Sequence, residues 1–183
     1  MKTRRSLLAA LLALACAAAI LLLPLPAQWR DVTRIVNVAA IARPDTVVFD
    51  YVSTPANWPV WHRSSLAVAG AVDHSLLPGE QVTETFLVAG RRGTVVWTVV
   101  ERERPVAWTI EGTIDGRQAG TVRYTLTPMR MGTLFEREFV YTAPNLFFAL
   151  TNRLLLRQRI EAESAEAVSR LRATLEGQLA APL

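Results

Sequence analysis

One segment decides the fold: residues 145–179, NLFFALTNRLLLRQRIEAESAEAVSRLRATLEGQL. It has no proline and a single glycine, and it is dominated by Ala, Leu, Arg, Glu and Gln, which are strong helix formers. Asn145 can cap the first turn, because its side-chain oxygen accepts a free backbone N–H. An apolar stripe starts at Leu154, breaks at Glu161 and Ala162, and then recurs every three or four residues: Ala165, Val168, Leu171, Leu175 and Leu179. This spacing predicts one long helix with a single apolar face.

Residues 32–141 read mostly as strands separated by short turns. The runs rich in β-branched and aromatic residues predict seven strands: 32–41, 66–72, 81–89, 94–103, 106–114, 117–127 and 133–141. Two short helices are expected after Pro44 and at residues 57–61. Links of hairpin length, such as Asp115-Gly116, predict an antiparallel sheet. We therefore expect an α+β fold in which the long helix covers one face of the sheet and a cavity lies between them.

The first turns of the long helix differ from the later ones. Residues 146–156 are apolar nearly all round, whereas the later turns are apolar on one side only. A helix that is apolar all round is usually enclosed by other elements. We therefore expect Phe147, Leu150 and Leu154 to be more buried than residues 170–180 and to close one mouth of the cavity.

The length and composition of the chain favour one folded domain, residues 32–183, preceded by an appendage, residues 1–31. The chain has 20 basic and 16 acidic residues, but three of the basic residues lie among the first five positions. The folded part is therefore nearly neutral, which argues against a nucleic-acid-binding surface. The single cysteine, Cys16, lies in the appendage, so the domain has no disulfide, no cysteine nucleophile and no thiolate metal ligand.

The appendage is organised like a targeting segment. A basic start, MKTRRS, precedes an uncharged apolar run from Leu7 to Leu25, and its 19 residues at about 1.5 Å each can just cross the hydrocarbon core of a bilayer. The competing interpretations are an uncleaved signal anchor, a signal peptide cleaved after Ala27, and a lipoprotein processed before Cys16. Each interpretation places the domain outside the cytoplasm, either as a single-pass protein of the cell membrane or as a periplasmic or secreted protein.

Three segments carry a family resemblance: VNVAAIARPDTVVFDYV at 36–52, NWPVW at 57–61 and LPGEQV at 77–82. Together with the closing helix they resemble the START-like (SRPBCC) superfamily, in its polyketide cyclase/dehydrase-like branch. The resemblance implies a helix-grip fold, in which a curved antiparallel seven-stranded sheet surrounds a long C-terminal helix. It also implies a hydrophobic ligand such as a lipid, a sterol or a polyketide, and some members catalyse cyclisation or dehydration.

Two charged residues fall on otherwise apolar strand faces. Alternation along the strands places Glu84 beside Phe86 and places Arg137 between Phe135 and Phe139. A lone buried charge is costly, so we expect the two to pair with each other or with the polar end of an apolar ligand. The alternatives are a structural ion pair, or positions at strand ends from which the side chains reach water.

Aromatic side chains recur on the same faces and could line a pocket. The candidate ligand-binding residues are Trp61, Glu84, Phe86, Trp97, Trp108, Tyr124, Arg137 and Phe139, with Leu150 from the helix. Ordinary core packing is the alternative for each aromatic residue.

Other signatures of chemistry are weak. His62 and His74 lack metal-ligand spacing, so we predict neither a metal site nor a cofactor, and an exposed loop position is the simplest interpretation of His62. No phosphate-binding loop and no GxSxG nucleophile motif occur. Arg91-Arg92 and residues 102–104 are most simply solvated turn charges, with contact to anionic lipid as the alternative.

We therefore expect a membrane-anchored or exported domain that binds a lipid or another hydrophobic small molecule. One alternative is a cyclase/dehydrase-like enzyme that uses Arg137, Glu84, His62 or Tyr124 as acid–base groups. Another is a structural interaction domain without a ligand. The sequence does not decide whether a reaction is catalysed.

Overall fold

A computed structural model describes residues 2–177, with only the backbone of residues 2–9 and 27. The helices are α1 (Lys2–Leu22), α2 (Asp45–Ser53), α3 (Trp58–Trp61), α4 (Leu146–Thr151) and α5 (Arg157–Gly177), and a π-helical segment, Asn152–Leu156, lies between the last two. The strands are β1 (Val32–Ile41), β2 (Ser65–Gly70), β3 (Gln81–Val88), β4 (Arg91–Glu103), β5 (Ala107–Ile114), β6 (Arg117–Met129) and β7 (Gly132–Thr142). Short 3₁₀ turns occur at Ala27–Trp29 and Pro55–Asn57.

The chain forms two compact units. The leader unit comprises Met1–Thr33 and Thr142–Arg157, and the sheet unit comprises Arg34–Tyr141 and Gln158–Leu183.

The seven predicted strands form one sheet in the order β1-β7-β6-β5-β4-β3-β2, and successive strands from β2 to β7 pair antiparallel. With the long C-terminal helix, this arrangement fits the predicted helix-grip fold. The β5–β6 hairpin turns at Asp115-Gly116, as predicted, and both residues have positive φ, at 51° and 71°. That is the backbone of a tight hairpin turn, which explains why a glycine follows a residue that tolerates the left-handed region.

The core of the sheet unit lies between the sheet and α5. Its largest fully buried side chains include Trp61, Trp108, Phe49 and Phe135. The buried face of α5 consists of Ile160, Ser164, Ala167, Val168, Leu171 and Leu175. The predicted stripe is therefore correct at its last three described positions but wrong at Ala165, which is exposed. The buried residues of α5 occupy an arc of about 100° around the helix, and Ala165 lies outside this arc on the solvent side. The predicted stripe residue Leu179 lies outside the described residues.

The predicted order of burial along the last helix is wrong. Phe147, Leu150 and Leu154 are 53%, 53% and 72% exposed, whereas Leu171 and Leu175 are 0% and 1% exposed. The early residues belong to the leader unit, where α1 packs against α4 and covers only part of the apolar surface. An all-round apolar segment therefore marks a helix with an uncovered face in this chain.

Within the leader unit, the start of α4 is fixed as the sequence predicts. Phe148 donates its backbone N–H to the side-chain oxygen of Asn145 at 2.8 Å, so Asn145 is the N-cap. Pro24 forms a β-bridge with Asn145, and the backbone N–H of Leu25 donates to the carbonyl of Pro144. Within the part of the chain that the structure describes, no helix is both long enough and apolar enough to cross a membrane.

Candidate functional site

A buried guanidinium lies at the centre of the sheet unit. Arg137 on β7 is only 6% exposed, because alternation along the strand points it to the side that α5 covers. Its Nη1 donates to Oγ of Ser164 on α5 at 2.7 Å, and its Nη2 lies 3.3 Å from Nε2 of His62. Ser164 in turn donates to Oδ1 of Asn37 on β1. Residues from β1, the end of α3, β7 and α5 thus meet in one polar cluster.

The His62 side chain is half-buried and contacts Arg137, so the prediction of an exposed loop position is wrong. Burial, followed by the positive charge of Arg137, lowers the pKa of the His62 imidazole from 6.5 to about 3. The ring is therefore neutral at physiological pH, and its Nε2 accepts the hydrogen bond from Arg137 while Nδ1 carries the proton. An imidazole with this pKa is a poor general base near neutrality.

Glu84 lies on β3 and is 9% exposed. Its Oε2 accepts a 2.7 Å hydrogen bond from Nε1 of Trp97 on the neighbouring strand β4. Burial raises the pKa of the Glu84 carboxyl, against the opposing effects of that hydrogen bond and of the Arg137 charge. Glu84 and Arg137 form no ion pair with each other in the described structure. Because both side chains are buried, neither reaches water from a strand end.

An aromatic wall adjoins the guanidinium. Tyr124 lies directly opposite Arg137 in the β6–β7 register. Its ring stacks on Trp108 at 5.4 Å between centroids and contacts the rings of Trp61 and Phe135 at 6.3 and 5.2 Å. Burial raises the pKa of the Tyr124 hydroxyl to about 12. The Tyr124 hydroxyl is therefore protonated at physiological pH.

The structure brings together most of the predicted site residues. Trp61, Trp108, Tyr124 and Arg137 lie in one cluster, and the Arg137 guanidinium carbon is 5.6 Å from the ring centre of Phe139. The Glu84–Trp97 pair forms a second polar contact, and Phe86 packs partly buried against the core. Leu150 is not part of the cluster, since it is exposed and belongs to the leader unit.

Several buried N–H donors in and beside the cluster have no acceptor among the described residues. They are Nε1 of Trp61, Nε1 of Trp108, Nε of Arg137 and Nδ1 of His62. A buried donor without an acceptor costs about 1–3 kcal/mol. The cluster therefore has spare donors, and the groups that would satisfy them are oxygen acceptors.

Sequence reasoning missed two members of the cluster, Asn37 and Ser164, and named His62 only as an acid–base group of the enzyme alternative. Asn37 lies on the same face of β1 as the buried residues Ile35 and Ile41. The side-chain alternation that identified Arg137 therefore also identifies Asn37 as a polar residue on an apolar face. Ser164 lies four residues from both Ile160 and Val168, on the buried face of α5. A polar residue on an apolar face was therefore a usable signal at both positions.

The arginines near the turns divide into two groups. Arg91 and Arg92 are exposed, as predicted. Arg104 donates to both carboxylate oxygens of Asp50 at 2.7 Å, and the Arg102 guanidinium carbon lies 5.4 Å from the ring centre of Phe49. Both arginines contact α2. Arg104 is exposed, as predicted, whereas Arg102 is half-buried, so the prediction of a solvated turn charge is wrong for Arg102.

A surface depression of about 450 Å³ lies elsewhere on the sheet unit. It is lined by residues 42–45, 128, 129, 131 and 132. None of the predicted site residues lines it, and its open shape does not resemble an enclosed ligand site. Among the described residues, no group of three His, Cys, Asp or Glu side chains could hold a metal ion.

The comparison with protein families agrees with this architecture. The family model described as polyketide cyclase/dehydrase and lipid transport matches residues 32–176. The chain belongs to this family. This confirms the predicted superfamily, and membership suggests that the domain binds a hydrophobic ligand. Among curated proteins, no significantly similar sequence is found.

Solved structures show the same fold at low sequence identity. A protein of unknown function from Staphylococcus aureus is 6% identical, with a TM-score of 0.64 over 84% of this chain and 99% of its own. A protein from Rhodobacter sphaeroides is 16% identical, with a TM-score of 0.60 over 81% and 99% of the two chains. A polyketide-cyclase-like protein from Corynebacterium glutamicum is 18% identical, with a TM-score of 0.55 over 81% and 94%. At these identities the likeness concerns the fold alone.

Proposed function

We propose that this protein is an exported or membrane-anchored START-like domain that binds a lipid or another hydrophobic small molecule between its sheet and α5. The family suggests a hydrophobic ligand, and the aromatic wall formed by Trp61, Trp108 and Tyr124 offers a surface for its apolar part. Arg137 receives its polar end.

The observation that carries the proposal is the state of Arg137. Its guanidinium is buried without an ion-pair partner among the described residues, and Ser164 and the neutral His62 take only part of its hydrogen-bonding capacity. Burying a charge in this way is costly, and a fold gains nothing from it that an apolar side chain would not supply better. A charge retained at such a cost is best explained by a group that it binds.

The spare donors define the chemistry of that group. Nε of Arg137, Nε1 of Trp61 and Nε1 of Trp108 can all donate, and none can accept. A ligand whose buried end carries carbonyl or carboxylate oxygens would satisfy them, and an arginine fork favours a carboxylate. We therefore favour an apolar ligand with a single oxygen-rich end, such as a fatty acid or a related carboxylic acid.

Export or anchoring rests on the leader sequence. The basic start and the apolar run from Leu7 to Leu25 support it, and the family domain begins only at residue 32. Cell fractionation of the full chain tests this part separately. Recovery of the uncleaved protein in the soluble cytoplasmic fraction would refute it without affecting the ligand site.

Ligand binding is tested with oleate and oleyl alcohol, which share an apolar chain and differ in the acidic end. Native mass spectrometry of the full chain should show one bound oleate, and binding of the alcohol should be weaker by about tenfold or more, as the loss of a charged hydrogen bond predicts. Arg137→Met should lose this preference. The matched control is Arg123→Met, because Arg123 lies on the neighbouring strand with its side chain in solvent beside Glu101.

Two results would refute the proposed site. One is the absence of any bound mass with either probe. The other is equal oleate binding by wild type and Arg137→Met. Recovery of a chemically altered native ligand would instead favour the cyclase/dehydrase-like alternative.

A further inference from the structure

Positive charge is concentrated in the leader unit. Its 49 residues contain six basic side chains, at positions 2, 4, 5, 30, 153 and 157, and a single acid, Asp31. The sheet unit carries 14 basic residues against 15 acidic ones. The whole net charge of +4 therefore comes from the leader unit, and its sign suits an anionic surface.

The same unit has an uncovered apolar helix face. The side chains that share it are exposed and recur at steps of one, three and four residues: Leu146, Phe147, Leu150, Arg153, Leu154 and Arg157. We call this set the Leu150 face. The opposite side of the segment is covered, since Asn152 is buried and its Nδ2 donates to Oγ1 of Thr33 at 2.9 Å.

The composition of the Leu150 face is unusual for a helix in water. It holds three leucines and a phenylalanine, with two arginines at its C-terminal end, and no acidic residue occurs from Thr142 to Arg157. Apolar side chains next to arginines match the boundary between the acyl chains and the head groups of a bilayer. The arginine stems reach across apolar surface while their guanidinium groups bind phosphate.

The neighbouring helix adds to this surface. α1 packs against α4 within the leader unit and exposes leucines of its own, such as Leu11 and Leu14. The net positive charge distinguishes a lipid surface from a second copy of the chain, because two leader units of the same sign repel each other.

We propose that the Leu150 face lies on an anionic phospholipid bilayer, as a membrane contact separate from any insertion of the leader. It holds α4 and the π-helical segment at the level of the head groups. This contact is independent of the ligand site, whose residues all belong to the sheet unit.

The test uses full-length protein with Cys16→Ser and one new cysteine labelled with an environment-sensitive nitrobenzoxadiazole dye. Leu154→Cys places the dye on the Leu150 face. The matched control is Met131→Cys, an apolar position in the sheet unit that is 84% exposed, against 72% for Leu154. Each protein is reconstituted with phosphatidylcholine vesicles, with or without phosphatidylglycerol, that contain a doxyl-labelled phospholipid as quencher.

We expect strong quenching and a blue-shifted emission at position 154 in the anionic vesicles, and neither at position 131. Arg153→Gln combined with Arg157→Gln should lower the contact population at position 154 by on the order of tenfold. The matched pair Arg91→Gln and Arg92→Gln, in an exposed turn of the sheet unit, should leave it unchanged. All of these positions are exposed, so the variants should keep the wild-type circular dichroism spectrum.

Each other result overturns the proposal. An unquenched dye at position 154 would show that the face does not meet lipid, even if the leader inserts. Equal quenching in vesicles without phosphatidylglycerol would show that the contact does not depend on anionic lipid. A blue shift that appears without vesicles when the protein concentration is raised would show that the Leu150 face binds a second copy of the chain. Loss of oleate binding leaves all of these readouts intact, so failure of the ligand site is distinguishable.

Discussion

Nη2 of Arg137 lies 3.3 Å from Nε2 of His62, and this contact joins a permanent cation to a histidine that stays neutral. The arrangement fixes the tautomer, because Nε2 must accept and Nδ1 must carry the proton. It also explains the electrostatics of the cluster. Burial and the neighbouring positive charge both oppose protonation of the ring.

The pKa values of the two histidines should therefore be shifted in opposite directions from that of a free imidazole. The pKa of His62 is lowered to about 3, whereas hydrogen bonds to Asp73 and then Glu80 raise the pKa of His74 above 6.5. In an NMR titration from pH 8 to pH 5, the ring signals of His62 should stay at their neutral positions and those of His74 should move fully. His74→Asn assigns the two signals. A His62 midpoint near 6.5 would contradict the buried contact with Arg137.

The same shift makes stability depend on pH. Between pH 6.5 and about pH 3 the unfolded chain takes up a proton at His62 that the folded chain refuses, so the stability contribution of this group falls as pH falls. The slope approaches about 1.4 kcal/mol per pH unit. Urea unfolding of wild type and His62→Gln, which keeps an acceptor for Arg137, should show this difference between pH 7 and pH 5.

The control for that series is His74→Gln. His74 has a raised pKa, so its contribution is fully present below pH 6.5 and is lost as pH rises through the folded-state value. Its removal should therefore change the pH profile in the opposite direction. Parallel profiles for wild type and His62→Gln would rule out the low pKa of His62.

Arg137→Met should leave stability unchanged or increase it. The guanidinium has no ion-pair partner among the described residues, so its replacement removes a desolvation cost, and Ser164 keeps its hydrogen bond to Asn37. Phe135→Ala, at a fully buried neighbour on the same strand, should cost about 3–5 kcal/mol. Denaturant unfolding compares the two variants. A loss of several kcal/mol for Arg137→Met would show that the arginine is structural.

The strands were predictable from the sequence because each has an apolar parity and a turn signal at its ends. β1 has the predicted bounds, Val32–Ile41, and every other strand end lies within a few residues of its predicted position. Alternation also identified Arg137 and Glu84 as buried charges, since parity depends on the backbone alone. These features are local, so a single sequence contains them.

The contacts of the cluster were not predictable in the same way. His62 meets Arg137 across 75 residues, and Ser164 meets Asn37 across 127. Alternation along a strand predicts the side of the sheet on which a side chain lies, but it does not predict which residue the side chain contacts there. The burial of residues 146–156 was misjudged for a related reason. Hydrophobicity indicates which surface should leave water, and the packing of the chain decides whether protein covers it.

Glu84→Gln should stabilise the protein at neutral and alkaline pH. The amide oxygen can still accept from Nε1 of Trp97, and the variant has no carboxylate to bury. Because the pKa of Glu84 is raised in the folded state, the wild-type contribution is fully present below pH 4.5 and is lost as pH rises through the folded value. Thermal unfolding should show the gap between the variants growing with pH. An equal gap at pH 4 and pH 8 would mean that Glu84 does not change ionisation on folding.

Because the last helix is exposed in its first turns and buried in its later turns, substitutions of two of its leucines should differ in their effect on stability. Leu171 on α5 is fully buried, so Leu171→Ala should cost about 2–5 kcal/mol of unfolding free energy through the lost apolar contacts and the cavity left behind. Leu154 is 72% exposed, and Leu154→Ala should stay within about 0.5 kcal/mol in lipid-free solution. Chemical unfolding followed by circular dichroism measures both. If Leu154→Ala were the more costly change, the early part of the helix would be enclosed in solution after all, and the Leu150 face would not be free to meet a bilayer.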